Sequence, residues 1–118
     1  MVNFDKPGVV SIWAGLEHQD PDVDLLKGLC GVEYYDVDFQ ECSPADRGEQ
    51  EPVAELVKRL SYSESFGDAV TKAAEGIGLS AAAWVVMQLN YAFDPSQSRK
   101  SISDKVRFLG VFEYEDDD

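Results

Sequence analysis

The chain has 118 residues, 44% hydrophobic and 11% aromatic, which suits one domain with its own core and argues against intrinsic disorder. Its 23 acidic against 10 basic residues give a formal net charge of −13; nucleic acid and anionic membrane surfaces are poor partners for such a chain, because phosphate binding needs clustered Lys and Arg. No apolar run approaches the roughly 20 residues of a membrane span, the start MVNFDKPGVV lacks the regions of a signal peptide, and Cys30 and Cys42 are too few for a disulfide scaffold, so a cytoplasmic protein with reduced thiols is expected.

Residues 1–7 are polar, end in Lys6-Pro7 and read as a loose lead-in. From Val9 the chain alternates Val10, Ile12 and Ala14 against Val9, Ser11 and Trp13, a strand that stops at Gly15. Asp20-Pro21 signals a helix start, an Asp cap followed by Pro at the first helical position. Leu25, Leu26, Leu29 and Cys30 would line one face of this short helix, and Gly31 would close it. Tyr34 to Phe39 alternates Tyr35, Val37 and Phe39 against Tyr34, Asp36 and Asp38; a half-buried strand is expected, with an extended loop as the alternative.

Residues 43–51 form a polar loop. Pro52 then starts a helix with Val53, Leu56, Val57 and Leu60 at helical spacing. Ser61-Tyr62-Ser63-Glu64 matches a capping box, and the helix it opens runs to about Glu75, burying Phe66, Val70, Ala73 or Ala74, and Ile77 before Gly76 and Gly78 end it. Ala83 to Phe93 is the longest strand candidate. Val85, Met87, Leu89 and Tyr91 face one way; Trp84, Val86, Gln88 and Asn90 form a mixed face expected to be partly open. After the loop 94–103, Val106 to Tyr114 alternates again, with Val106, Phe108, Gly110, Phe112 and Tyr114 on one side. Residues 115–118 should fray. With no repeat and no linker, residues 1–118 read as a single α+β domain. It has a mixed or mainly antiparallel sheet of about four strands with helices on one face, and its last two strands form a hairpin.

The charge is concentrated. Residues 17–55 carry 12 acidic groups against Lys27 and Arg47, and residues 113–118 add five more acids. The remainder has six acidic and eight basic groups. Such a distribution makes a directional field that steers association with a basic partner.

No catalytic set assembles from the sequence. His18 is the single histidine and sits in a polar stretch where a solvated loop residue is the simpler reading; GxSxG, HExxH and P-loop patterns are absent. Asp36, Asp38 and Glu41 could offer oxygens to a divalent metal, but two or three carboxylates without an EF-hand pattern read more simply as a solvated face or a partner contact. The GIG of residues 76–78 is a helix stop, and Trp13 and Trp84 are core candidates. Neither a cofactor nor a metal is expected.

Four segments, in this order, resemble the bacterial immunity protein 22 family of polymorphic toxin systems: SIWAG, containing Trp13-Ala14-Gly15; YDVDF, from Tyr35 to Phe39; SYSESF, from Ser61 to Phe66; and FLGVFEY, from Phe108 to Tyr114. Glu113 departs from the family's frequent Phe-Pro-Tyr ending. The resemblance implies a non-enzymatic antidote that binds a secreted toxin stoichiometrically. A basic nuclease would suit an acidic binder. The expected partner-binding residues are Asp20, Asp22, Asp24, Glu33, Asp36, Asp38 and Glu41, with N-capping as the competing role for Asp20. Two other readings fit the same residues: a metal-dependent enzyme using Asp36, Asp38 and Glu41, and an acidic nucleic-acid mimic that regulates a DNA-binding protein. The last strand could be an open sheet edge, which leaves both monomer and dimer open.

Overall fold

A computed structural model describes residues 4–19, 24–33, 35–45, 49–98 and 101–115. The strands β1 (Asp5–Gly15), β2 (Gln40–Pro44), β5 (Trp84–Tyr91) and β6 (Val106–Glu113) form one antiparallel sheet in the order β2-β5-β1-β6. Two residues each from β3 (Glu51–Pro52) and β4 (Ala81–Ala82) make a second, small antiparallel sheet. The helices are α1 (Leu25–Leu29), α2 (Val53–Lys58) and α3 (Ser63–Gly76). The α+β architecture with a four-stranded sheet is therefore as expected.

The topology differs in one respect. β5 and β6 are not a hairpin, because β1 lies between them and pairs with both. β1 is buried from Val9 to Gly15, its two edges paired by β5 and β6 and its two faces covered by separate cores. β1 also begins at Asp5, so residues 5–7 belong to the strand and not to a loose lead-in.

Each sheet face has its own core. Val10, Ile12, Ala14, Val85 and Met87 pack with Leu56, Val57, Phe66, Val70 and Ala74 of α2 and α3. On the other face Trp13, Trp84, Val86, Tyr91 and Phe93 pack with Leu26, Cys30 and Val32 from α1 and the turn after it. The two longer helices share one face, while short α1 helps close the other. The Trp84 and Gln88 face is accordingly buried and not partly open, with Gln88 at 1% exposure. Trp13 sits among Phe93 and Phe108, ring centroids 5.3 Å away. Fully burying one such large apolar side chain contributes about 1.5–3 kcal/mol. The buried Ser11 hydroxyl donates to the Tyr91 carbonyl at 2.5 Å and accepts the Phe93 amide at 2.9 Å, so it carries no unmade bond into this core.

Two irregularities break the simple alternation. The β1–β5 register shifts between Asp5 and Val10, where Gly8 (φ 85°) and Asn90 (φ 57°) are left-handed. Tyr91 consequently joins the Trp13 face, not that of Met87. In β6, Ile12 pairs with Gly110 but Trp13 with Phe108, leaving Leu109 as the extra residue of a bulge. Val106 and Phe108 therefore side with Trp13, whereas Leu109, Phe112 and Tyr114 pack with the helical core.

The helix ends follow local chemistry. Asp24 caps α1 by accepting the Lys27 amide at 3.0 Å, and Gly31 (φ 80°) turns the chain after it. Asp20-Pro21, the expected start, lies outside the described residues. The capping box at Ser61 does not form. Tyr62, left-handed at φ 62°, precedes α3 without a side-chain cap. Ile77 falls beyond the last turn and is 54% exposed, so it is not the core residue its spacing suggested. Glu115 is tied down through its amide, which donates to Ser65 Oγ at 3.0 Å; the frayed tail expected after it lies outside the described residues.

Candidate partner interface

Over residues 35–39 the expected strand is instead a turn, and Tyr34 lies outside the described residues. Asp36 Oδ1 accepts the Asp38 amide at 3.0 Å, and Val37–Phe39 forms one turn of 3-10 helix that leads into β2. An Asp side chain that captures the amide two residues ahead offers the backbone an alternative to a sheet ladder. Asp36 and Asp38 therefore do not share a strand face. They alternate with Val37 and Phe39, which are 65% and 43% exposed. The Asp36 carbonyl accepts from Gln88 Nε2 at 2.7 Å, which fastens the turn to β5.

The other expected residues separate. Asp24 is occupied at the start of α1 and also accepts the Tyr35 hydroxyl, at 2.9 and 3.0 Å to its two oxygens. Burial, and then this bond to a carboxylate, pushes the Tyr35 phenol up to about 12. Glu33 is half-buried, one residue beyond the core residue Val32. Glu41 pairs with Met87, leaves the sheet on the α2–α3 side and accepts the Ser61 amide at 3.1 Å. Asp20 and Asp22 lie outside the described residues. Among the described residues no group of three or more His, Cys, Asp or Glu side chains could hold a metal ion, and Asp36, Asp38 and Glu41 are no such group. His18 is tied by Nε2, which donates to the Glu49 carbonyl at 2.6 Å.

Two exposed apolar side chains, Val37 and Phe39, thus alternate with two exposed carboxylates on a turn fastened to β5. The defining sequence pattern of one family, Immunity protein 22, matches residues 29–115. The chain belongs to the Immunity protein 22 family. That membership carries a toxin-immunity role, with a toxin as binding partner. Comparison with curated proteins and with solved structures gave no match. The matched stretch starts at the last residue of α1, so it omits β1, without which β5 and β6 have no strand between them. No helix among the described residues is long and apolar enough to cross a membrane.

Sequence reasoning missed Val37 and Phe39 as surface groups, because the pattern Tyr-Asp-Val-Asp-Phe imitates a strand. The available signal was the Asp-x-Asp spacing, which also fits an Asp-capped turn.

Proposed function

We propose that this immunity protein neutralises its cognate toxin domain by binding it stoichiometrically through the acidic turn 36–39. The observation that carries the reading is the exposure of Val37 and Phe39, which alternate with Asp36 and Asp38 on one turn. Apolar anchors within a charged rim supply affinity, while the rim sets the rate and orientation of encounter. Asp20, Asp22, Asp24, Glu33 and Glu41 are the further carboxylates proposed to add to the negative field that a basic partner meets. A nuclease is the toxin class best suited to it, because an enzyme that holds phosphate presents a basic surface.

The experiment is stopped-flow association with the cognate toxin domain, sought among the products of the adjacent genes, at several salt concentrations. The double substitution Asp36→Asn, Asp38→Asn keeps a capping amide at 36. It is expected to slow association about tenfold at low salt and to flatten the salt dependence. An unchanged rate and salt slope would place the interface elsewhere.

A further inference from the structure

Gln40 and Gln88 stand directly opposite each other where β2 pairs with β5. Their side chains therefore leave the sheet on the same face. Directly opposed antiparallel residues have Cβ atoms roughly 4.5–5.5 Å apart, within reach of two glutamine side chains. Gln88 is fixed in orientation, because its Nε2 donates to the Asp36 carbonyl at 2.7 Å and Oε1 is the atom left over. That oxygen is buried and has no hydrogen-bond partner among the described residues, and the buried Nε2 of Gln40 has none either. One is an acceptor and the other a donor, and leaving both unmet costs more than joining them.

We infer that Gln40 Nε2 donates to Gln88 Oε1, and that the two glutamines are positioning residues for the turn 36–39. The Asp36 carbonyl accepts from Gln88 Nε2 and also from the Phe39 amide, at 3.0 Å. It is the point where the turn's own closing bond meets the sheet. Gln40 follows Phe39 and ends the turn, its backbone amide donating to the Val37 carbonyl. The residue that ends the turn thus braces, through its side chain, the glutamine that holds the turn's start. A donor on Oε1 polarises the Gln88 amide and strengthens its bond to Asp36. The Gln40 amide also lies near the Tyr35 hydroxyl and favours its ionised form; with two N–H groups it can serve both. A turn already held in its bound shape loses less conformational freedom when a partner closes over it. The inference rests on the toxin-binding reading for what the turn does, and on Gln40 and Gln88 alone for the pair.

The test uses the full chain with Gln40→Met and Gln88→Met, which keep side-chain length and remove the amide, and with both together. In urea each single substitution is expected to raise the unfolding constant about tenfold, and the double to raise it at least about fivefold less than the product of the two. Exchange of the Phe39 and Asp38 amides with water, read by nuclear magnetic resonance on 15N-labelled protein, should quicken about fivefold in Gln40→Met. Val70→Ala, a truncation in the core under α3, should lower stability without touching that exchange, which separates positioning from general destabilisation. Multiplicative substitutions, or a turn in Gln40→Met that exchanges at the native rate, would overturn the inference. So would contact between the Gln40 side-chain amide and a long-lived water, which is read on the native protein and needs no variant. The two readings fail separately. Coupled glutamines whose loss leaves toxin affinity unchanged would remove the turn from the interface and keep the pair. Uncoupled glutamines in a protein whose Asp36 and Asp38 substitutions slow toxin association would remove the pair alone.

Discussion

Gly15 and Trp84 face each other across β1 and β5, and the indole fills the space a side chain at position 15 would need. A Cβ there would lie 1.9 Å from Cε2 and 2.1 Å from Cζ2 of Trp84. The ring cannot easily retreat, because its Nε1 donates to the Glu17 carbonyl at 2.9 Å and the residue is 3% exposed. Gly15→Ala is therefore expected to destabilise the fold by about 3 kcal/mol, the sum of overpacking and a disturbed buried hydrogen bond. Urea unfolding reads this directly. Gly76→Ala, where a Cβ meets nothing within 4 Å, is the control and should be neutral or mildly stabilising.

Asn90 supports a second junction. Its Oδ1 accepts the Gly8 amide at 3.1 Å and the Tyr114 hydroxyl at 2.7 Å, joining the bulged end of β1, the end of β5 and the segment after β6. Its own φ of 57° is left-handed, a conformation Asn tolerates better than Ala. Asn90→Ala should thus cost about 1 kcal/mol more than Asn90→Gly, although both lose the same acceptor. Tyr114→Phe should cost about 1 kcal/mol in the native sequence and almost nothing beside Asn90→Gly. A coupling near zero in this double-mutant cycle would show that the Tyr114 bond contributes little.

These junctions show which parts of the fold could be read from the sequence. Val10, Ile12 and Ala14 in β1 and Phe66, Val70 and Ala74 in α3 announce their elements through spacing alone, since packing follows the periods of strand and helix. The reversal of Tyr91 does not, because one left-handed residue at Asn90 shifts everything after it to the opposite face. Leu109 in β6 defeats the alternation in the same way. The central place of β1 depends on long-range pairing, which local patterns do not encode. At the candidate interface the sequence points to Asp36 and Asp38 but not to the exposure of Val37 and Phe39. That exposure follows from one side-chain-to-backbone hydrogen bond competing with a strand.

Cys30 gives the fold an alkaline limit. The residue is fully buried, and desolvation, followed by the nearby charges of Cys42 and Asp24, pushes its thiol well above the ordinary value of 9.0. The Tyr91 phenol is raised as well, first by desolvation and then by Asp5 and Glu33. A group whose folded-state pKa is raised holds its proton more tightly in the native state. Its contribution is complete below the unfolded pKa and is lost as pH rises from there through the folded value. Stability to urea should accordingly be level between about pH 7 and pH 8 and then fall above about pH 9, by roughly 1 kcal/mol per pH unit for each such group. Cys30→Ala should lower stability at neutral pH through the cavity it leaves and make the alkaline slope shallower. An equally steep slope in the variant would assign the alkaline loss to other groups.

Phe39 separates binding from folding. Its side chain is 43% exposed and Val37 is 65% exposed, so neither adds much to the core. The turn that carries them is held by other atoms: Asp36 Oδ1 on the Asp38 amide and Gln88 Nε2 on the Asp36 carbonyl. Truncating an exposed side chain on a turn fastened elsewhere should change the urea midpoint little, with ΔΔG within about 0.5 kcal/mol. In a complex the same ring would be desolvated, and losing an aromatic anchor typically costs about 2 kcal/mol of affinity, most of it in dissociation. Phe39→Ala is therefore expected to leave the fold intact and to speed dissociation from the toxin about thirtyfold, whereas the carboxylate substitutions act on association. Surface plasmon resonance with the toxin immobilised resolves the two rates. A Phe39→Ala protein that dissociates at the native rate would mean that this turn approaches the toxin without burying its ring.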